Sequence, residues 1–176
     1  IRTGREEGFR VAATKSSITD VVTDIDRASE ALIRDRLLGA RPGDGFLGEE
    51  GSSDPSTSGV RWVVDPIDGT VNFVSGFPHY AVSIGAEIDG QAVAGVVLQV
   101  PTSMTYTATL GGGAWRNGSP LVRPINRPPL SQALVATGFN YDQRVRAIQA
   151  NAAARMLPGI GDIRRTGSCA LDLCHV

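Results

Sequence analysis

The chain has 176 residues and a formal net charge of −1, with 41% hydrophobic and 20% charged residues. That length holds one good core, or one domain and part of a second, and the ordinary composition excludes disorder as the default. The charge balance offers no basic field for nucleic acid, no polybasic cluster marks an anionic membrane, and no apolar run approaches the roughly 20 residues of a spanning helix.

In chain order, residues 1–14 are mixed and carry no clear pattern. Lys15 to Thr23 is polar and rich in serine and threonine, so it reads as a loop or flap ending in a short extended piece. Thr23 or Asp24 can cap a helix with Asp26 and Glu30 in its early turns, where the dipole favours negative charge. Ile25, Ala28, Ala31, Leu32 and Leu38 recur at helical spacing and predict its apolar face; Gly39 and Pro42 end it. Phe46 to Gly51 reads as a short strand whose end carries Glu49 and Glu50. Residues 51–59 read as a flexible connector by composition.

The apolar run Trp62 to Val64 predicts a buried strand that stops at Asp65-Pro66, because proline has no N–H for a ladder. Asp68-Gly69-Thr70 then turns the chain, with Gly69 free to take a backbone angle that other residues resist. Tyr80–Ile88, Asp89-Gly90 and Val93–Val100 make a hairpin signal. Met104–Thr109 and Ala114–Arg116 extend it into an antiparallel meander, with turns at 111–113 and Asn117-Gly118. Ala133–Thr137 and Ile160–Arg165 read as strands around a helix from Asp142 to Leu157, and Ser168 opens a last helix. That helix stops at Val176 with its apolar face unfinished, so the expectation is an N-terminal α+β unit over 1–125 and an incomplete second unit over 126–176.

Two carboxylates three residues apart at a strand end, followed by a glycine and a hydroxyl, suit a hard cation beside a phosphate. Asp26, Glu49, Glu50, Asp65 and Asp68 all fall at element ends. Two such groups about 4 Å apart repel by on the order of 4 kcal/mol at an effective dielectric of about 20, so convergence calls for cations. Oxygen donors without His or Cys favour Mg²⁺ over zinc, and the layout is that of metal-assisted phosphoryl hydrolysis. Each residue also has a plainer reading. Glu49-Glu50 alone is a solvated loop pair, Asp24 a helix-start charge, Asn72 a cap, and Lys15 a surface lysine. His79 and His175 read as structural. Cys169 and Cys174 lack CxxC or zinc-finger spacing and read as free core thiols in a reducing, cytoplasmic setting.

The stretch Asp65-Pro66-Ile67-Asp68-Gly69-Thr70, with Asn72-Phe73 behind it, resembles the signature of the inositol monophosphatase family. Gly48-Glu49-Glu50 is similar to that family's upstream acidic motif, Lys15 with Asp20 to Asp26 to its first motif, and Gly167-Ser168-Cys169-Ala170 to its Gly-Ser-x-Ala stretch. The resemblance implies a sugar-phosphatase fold of α+β class with alternating αβαβα layers, a small phosphate monoester as substrate, a homodimer and lithium sensitivity.

It also implies roles. Glu49 and Asp65 with the Ile67 carbonyl would hold a first Mg²⁺, and Asp65 and Asp68 a second. Thr70 and Asp26 would orient and deprotonate water, Gly69 and Thr70 would bind phosphate through their N–H groups, and Gly167, Ser168 and Cys169 would face the alcohol portion. Glu50 would support the site and Lys15 would sit on a flap. A further Asp of the family's second metal site has no match here, and Asp162 and Asp172 are the nearest acids; either a C-terminal portion is missing or the second metal site is crippled, and the interrupted last helix favours the first. Inositol 1-phosphate leads among substrates, ahead of histidinol phosphate; a fructose bisphosphate or phosphonucleotide lacks an evident basic pocket. The rival from another class is a binding protein that acts through transcription machinery.

Overall fold

The computed structural model describes residues 1–14, 21–122 and 127–176. The flap expected around Lys15 and the boundary expected at 125/126 lie outside them. Arg2–Glu7 forms a first helix (α1), and Val11–Thr14 (β1) pairs antiparallel with Val21–Thr23 (β2).

Asp24–Ala40 is the second helix (α2). Thr23 caps it in a reciprocal box: the Thr23 hydroxyl accepts from the Asp26 N–H, and Asp26 accepts from the Thr23 backbone N–H at 2.8 Å. The helix packs on the sheet strands that follow, but only part of the predicted face takes part: Ile25 packs on the core and Leu38 is half-buried, whereas Ala28 and Ala31 are exposed. Leu32 is 59% exposed, whereas Asp26 and Glu30 are 1% and 2% exposed. The buried stripe is led by these two carboxylates one turn apart, with Ile33 and Leu37 half-buried below them. Counting apolar residues missed it because a carboxylate can be buried once its hydrogen bonds are met.

Gly45–Gly48 (β3) pairs antiparallel with Ser53–Asp54 (β4) and parallel with Val60–Asp68 (β5). The expected flexible connector is therefore an ordered edge. Arg34 grips Asp54 with two bonds of 2.6 Å, and the Ser58 hydroxyl donates to buried Asp44 at 2.6 Å. Strand β5 also runs further than predicted, straight through Pro66. Thr70–Ser75 is a short helix (α3) behind Gly69.

Ala81–Ile88 (β6), Gln91–Gln99 (β7), Met104–Thr109 (β8), Gly113–Arg116 (β9) and Ser119–Pro120 (β10) complete an eight-stranded sheet of order β10-β9-β8-β7-β6-β5-β3-β4. From β5 onward the neighbours are antiparallel, the meander the alternation predicts. Asp89 and Gly90, with φ of 51° and 76°, supply the left-handed pair that a two-residue hairpin needs.

Leu134–Ala136 (β11) and Asp162–Arg164 (β12) form a separate parallel pair around the helix Gln143–Met156 (α4), which Asp142 caps through the N–H groups of Arg144 and Val145. Cys169–Cys174 (α5), capped by Ser168, packs against β6 and β7. Below the acidic turn the core is Ile67, Phe73, Tyr80 and Val100. The Phe73 ring meets Phe9 and Tyr80 at 5.0 and 5.3 Å. No helix among the described residues is long and apolar enough to cross a membrane.

Candidate active site

Residues three apart on a regular strand point to opposite faces. Asp65 and Asp68 escape that rule because β5 is bulged. Asp65 pairs with Ser83 and Asp68 with Ala81, so three steps on β5 span two on β6. The extra residue returns Asp68 to the side that Asp65 occupies. Pro66 sits in this irregular stretch, where its missing N–H breaks no ladder bond. This is why the strand does not stop at the proline.

Parallel pairing of β3 with β5 brings the glutamate end of one strand to the aspartate end of the other. The Glu49 N–H donates to the Val64 carbonyl at 3.0 Å and extends the ladder by one residue. The loop beyond is held from α2: the Glu30 carboxylate accepts from the Glu50 N–H at 2.7 Å and the Ser52 N–H at 3.0 Å. By sequence Glu30 reads as a helix-start charge; its burial shows the role. Glu49 then bonds the Asp65 side chain. Burial, Glu49 and Asp68 push the Asp65 carboxyl up to about 9, against which the Ile67 N–H pulls. That N–H reaches Asp65 Oδ1 at 3.0 Å.

Beside this pair, the Thr70 hydroxyl lies 3.1 Å from Asp26 Oδ1 and 2.9 Å from the Ile67 carbonyl. Asp26 is held above the ordinary carboxylate range by burial, partly offset by Thr23 and Thr70. Gly69, with φ of 92°, turns the chain into α3, whose first N–H groups lack partners within the helix.

Asp68 is engaged from across the molecule. Its carboxylate accepts from the Ser168 hydroxyl, from the Ala170 N–H at 2.8 Å and from the Cys169 N–H at 3.2 Å. Both of its oxygens thus bond the 168–170 segment. Ser168 is 1% exposed, with its hydroxyl turned onto Asp68. Cys169 is exposed rather than a core thiol, because the cap at Ser168 leaves the first helical residue on the cavity rim. Asn72 is not a cap: its amide reaches the carbonyls of His79 and Thr166. His79 is held below its ordinary pKa by burial, and among the described residues its Nε2 has no hydrogen-bond partner.

Glu49, Asp65, Asp68, Thr70 and Cys169 line one cavity of about 600 Å³, with Asp172 on its wall. The Asp172 carboxylate takes the Thr166 hydroxyl. Asp162 pairs instead with Arg164. Among the described residues no three His, Cys, Asp or Glu side chains stand together at metal-holding spacing. Asp68 is drawn to the 168–170 segment, which leaves Glu49 and Asp65 as the close pair. The pair still fits a hard cation by its chemistry. The donors are all oxygen, and burial together with two neighbouring acids opposes a bare negative charge on Asp65.

A model of the inositol monophosphatase family matches residues 1–176. The chain is 47% identical over 178 residues to the inositol-1-monophosphatase SuhB of Mycobacterium tuberculosis, covering 97% of this chain and 61% of that protein. It is 37% identical to the Nus factor SuhB of Pasteurella multocida, covering 100% of this chain and 66% of the relative. Among solved structures, the extragenic suppressor protein suhB of Bartonella henselae superposes with a TM-score of 0.89 at 34% identity, over 99% of this chain and 67% of that one.

Proposed function

The chain belongs to the inositol monophosphatase family, and from that premise we propose that the protein hydrolyses a small phosphate monoester with Mg²⁺, inositol 1-phosphate first among its substrates. The observation that carries this reading is the Thr70 hydroxyl bonded to Asp26 at 3.1 Å, beside the Glu49–Asp65 pair.

Glu49, Asp65 and the Ile67 carbonyl would hold one Mg²⁺; Asp65 and Asp68 would share a second. Bound Mg²⁺ would neutralise phosphoryl charge and lower the pKa of water at the site. Thr70 orients the attacking water and takes its proton as its own hydroxyl proton passes to Asp26 Oδ1. Burial, by raising the Asp26 pKa, makes that carboxylate the better acceptor. The N–H groups of Gly69 and Thr70 bind the phosphate oxygens. Asp68, with Cys169 beside it, meets the alcohol portion, Ser168 holds Asp68 in place, and Glu50 keeps the Glu49 loop closed through its N–H to Glu30. Histidinol phosphate is the nearest rival substrate.

The relative named Nus factor supports a second reading, a transcription-associated binding protein with an idle site. One assay on the full-length protein separates the two. Phosphate release from a panel of monoesters, with and without Mg²⁺, is expected to be metal-dependent and greatest on inositol 1-phosphate. No metal-dependent release from any monoester removes the enzyme reading.

A further inference from the structure

Asn72 lies in α3, buried to 9% exposure, two residues past Thr70. Its Nδ2 donates to the His79 carbonyl at 2.7 Å and to the Thr166 carbonyl at 2.8 Å. Both amide hydrogens are thus spent on backbone from two other segments, one of them 94 residues away. The next residue there is Gly167, with φ of 91°; a β-carbon on it would stand 2.8 Å from Asn72 Nδ2 and 3.0 Å from Oδ1. On the near side, a β-carbon on Gly69 would stand 3.1 Å from the carbonyl oxygens of both Gly167 and His79. The two glycines let these backbones touch, and Asn72 sets how they do so.

The residues that follow Gly167 are the three that donate to Asp68. We propose that Asn72 is a positioning residue: by holding the Thr166 carbonyl it places the 168–170 segment on Asp68 and so sets the fit of the substrate's alcohol portion. This rests on the phosphatase reading above. The side-chain type is specific to the task. An amide presents two donors on one nitrogen, whereas a carboxylate at the same place would face two carbonyl oxygens with none.

The test uses the full-length protein with Asn72→Ala and Asn72→Ser, the latter keeping one donor. Activity is compared on inositol 1-phosphate and on 4-nitrophenyl phosphate, whose good leaving group makes little use of alcohol positioning. Asn72→Ala is expected to lower kcat/KM on inositol 1-phosphate about tenfold more than on 4-nitrophenyl phosphate, chiefly through KM, with Asn72→Ser in between. Amide exchange at Cys169 and Ala170 is expected to quicken by about tenfold or more, well beyond the rest of α5. Equal losses on both substrates, or unchanged exchange at 169 and 170, overturn the proposal. If the unsubstituted protein turns over neither substrate, the phosphatase reading fails, and the exchange data still decide whether Asn72 places the segment. Should Asn72→Ala not fold, Asn72→Ser carries the same comparison.

Discussion

Gly48 lies so close to Glu30 that a β-carbon on it would stand 2.2 Å from the Glu30 carboxyl carbon. The two residues lock the β3 end against α2, and Glu49 is the next residue. Gly48→Ala is therefore expected to push the carboxylate off the Glu50 and Ser52 N–H groups. Glu30→Gln, which leaves one acceptor for two donors, acts on the same bonds. Both variants should weaken Mg²⁺ binding by about tenfold, as changes behind a ligand commonly do, while costing about 1–3 kcal/mol of stability. Calorimetric Mg²⁺ titration and denaturant melts check this; unchanged affinity with lost stability would mean that Glu30 only holds the fold.

Thr70→Ala and Asp26→Asn interrupt the proposed proton path at its two ends. Each is expected to lower kcat by about 10²–10⁴-fold, the usual size of general-base catalysis, with Mg²⁺ affinity kept. Thr70→Ser should recover most of the rate because it restores the hydroxyl. Asp26→Asn carries a further cost of about 1 kcal/mol, since the same side chain closes the capping box on Thr23. Steady-state kinetics with thermal melts separate the two effects.

The raised Asp65 carboxyl sets a pH dependence for the metal-free protein. Folded Asp65 holds its proton up to about 9, whereas its ordinary value is 3.8. Between those values the unfolded chain has released a proton that the folded chain keeps. The stabilising contribution is thus complete below the unfolded value and is lost as pH rises through the folded one. Asp26 shifts in the same direction. Through these two carboxyls, stability without Mg²⁺ is expected to fall as pH rises from about 4 to 9, against a smaller rise that buried His79 adds below its ordinary value; Asp65→Asn flattens the fall, and Mg²⁺ offsets it with release of a proton. Melts across pH, and calorimetry in buffers of different ionisation enthalpy, measure both.

Gly69→Ala tests the turn. A β-carbon there meets two carbonyl oxygens at 3.1 Å, and φ is 92°. The expected cost is about 2–3 kcal/mol from left-handed strain plus crowding. Phosphate or substrate affinity should fall with it. A near-neutral melt would show that the Asn72 junction has slack.

Much of the secondary structure was legible because its signals are local. Asp142 ahead of a helical run, Asp89-Gly90 between alternating strands, and Ser168 before α5 each act within a few residues of themselves. The misread elements involve partners far along the chain. Pro66 by itself predicts the end of β5, but the β6 register absorbs it in a bulge. The composition of the serine-rich connector predicts flexibility, but Arg34 and Asp44 hold it. Apolar spacing finds Ile25 on the packed face of α2, yet the fully buried side chains of that helix are Asp26 and Glu30.

The acids of the site could be nominated from their order and spacing, since Asp65, Asp68, Gly69 and Thr70 share one turn and Glu49 ends a neighbouring strand. What the sequence by itself determined was this set of residue types and the family they mark. Only the tertiary structure decided the arrangement: the bulge that turns two aspartates to one side, the Glu49–Asp65 contact, Glu30 behind it, and Asp68 held from residues a hundred positions away. The physical reason is range. Capping, turns and alternation are set by backbone geometry over a few residues, whereas the burial of a carboxylate and the bonds that satisfy it depend on which distant segments arrive beside it.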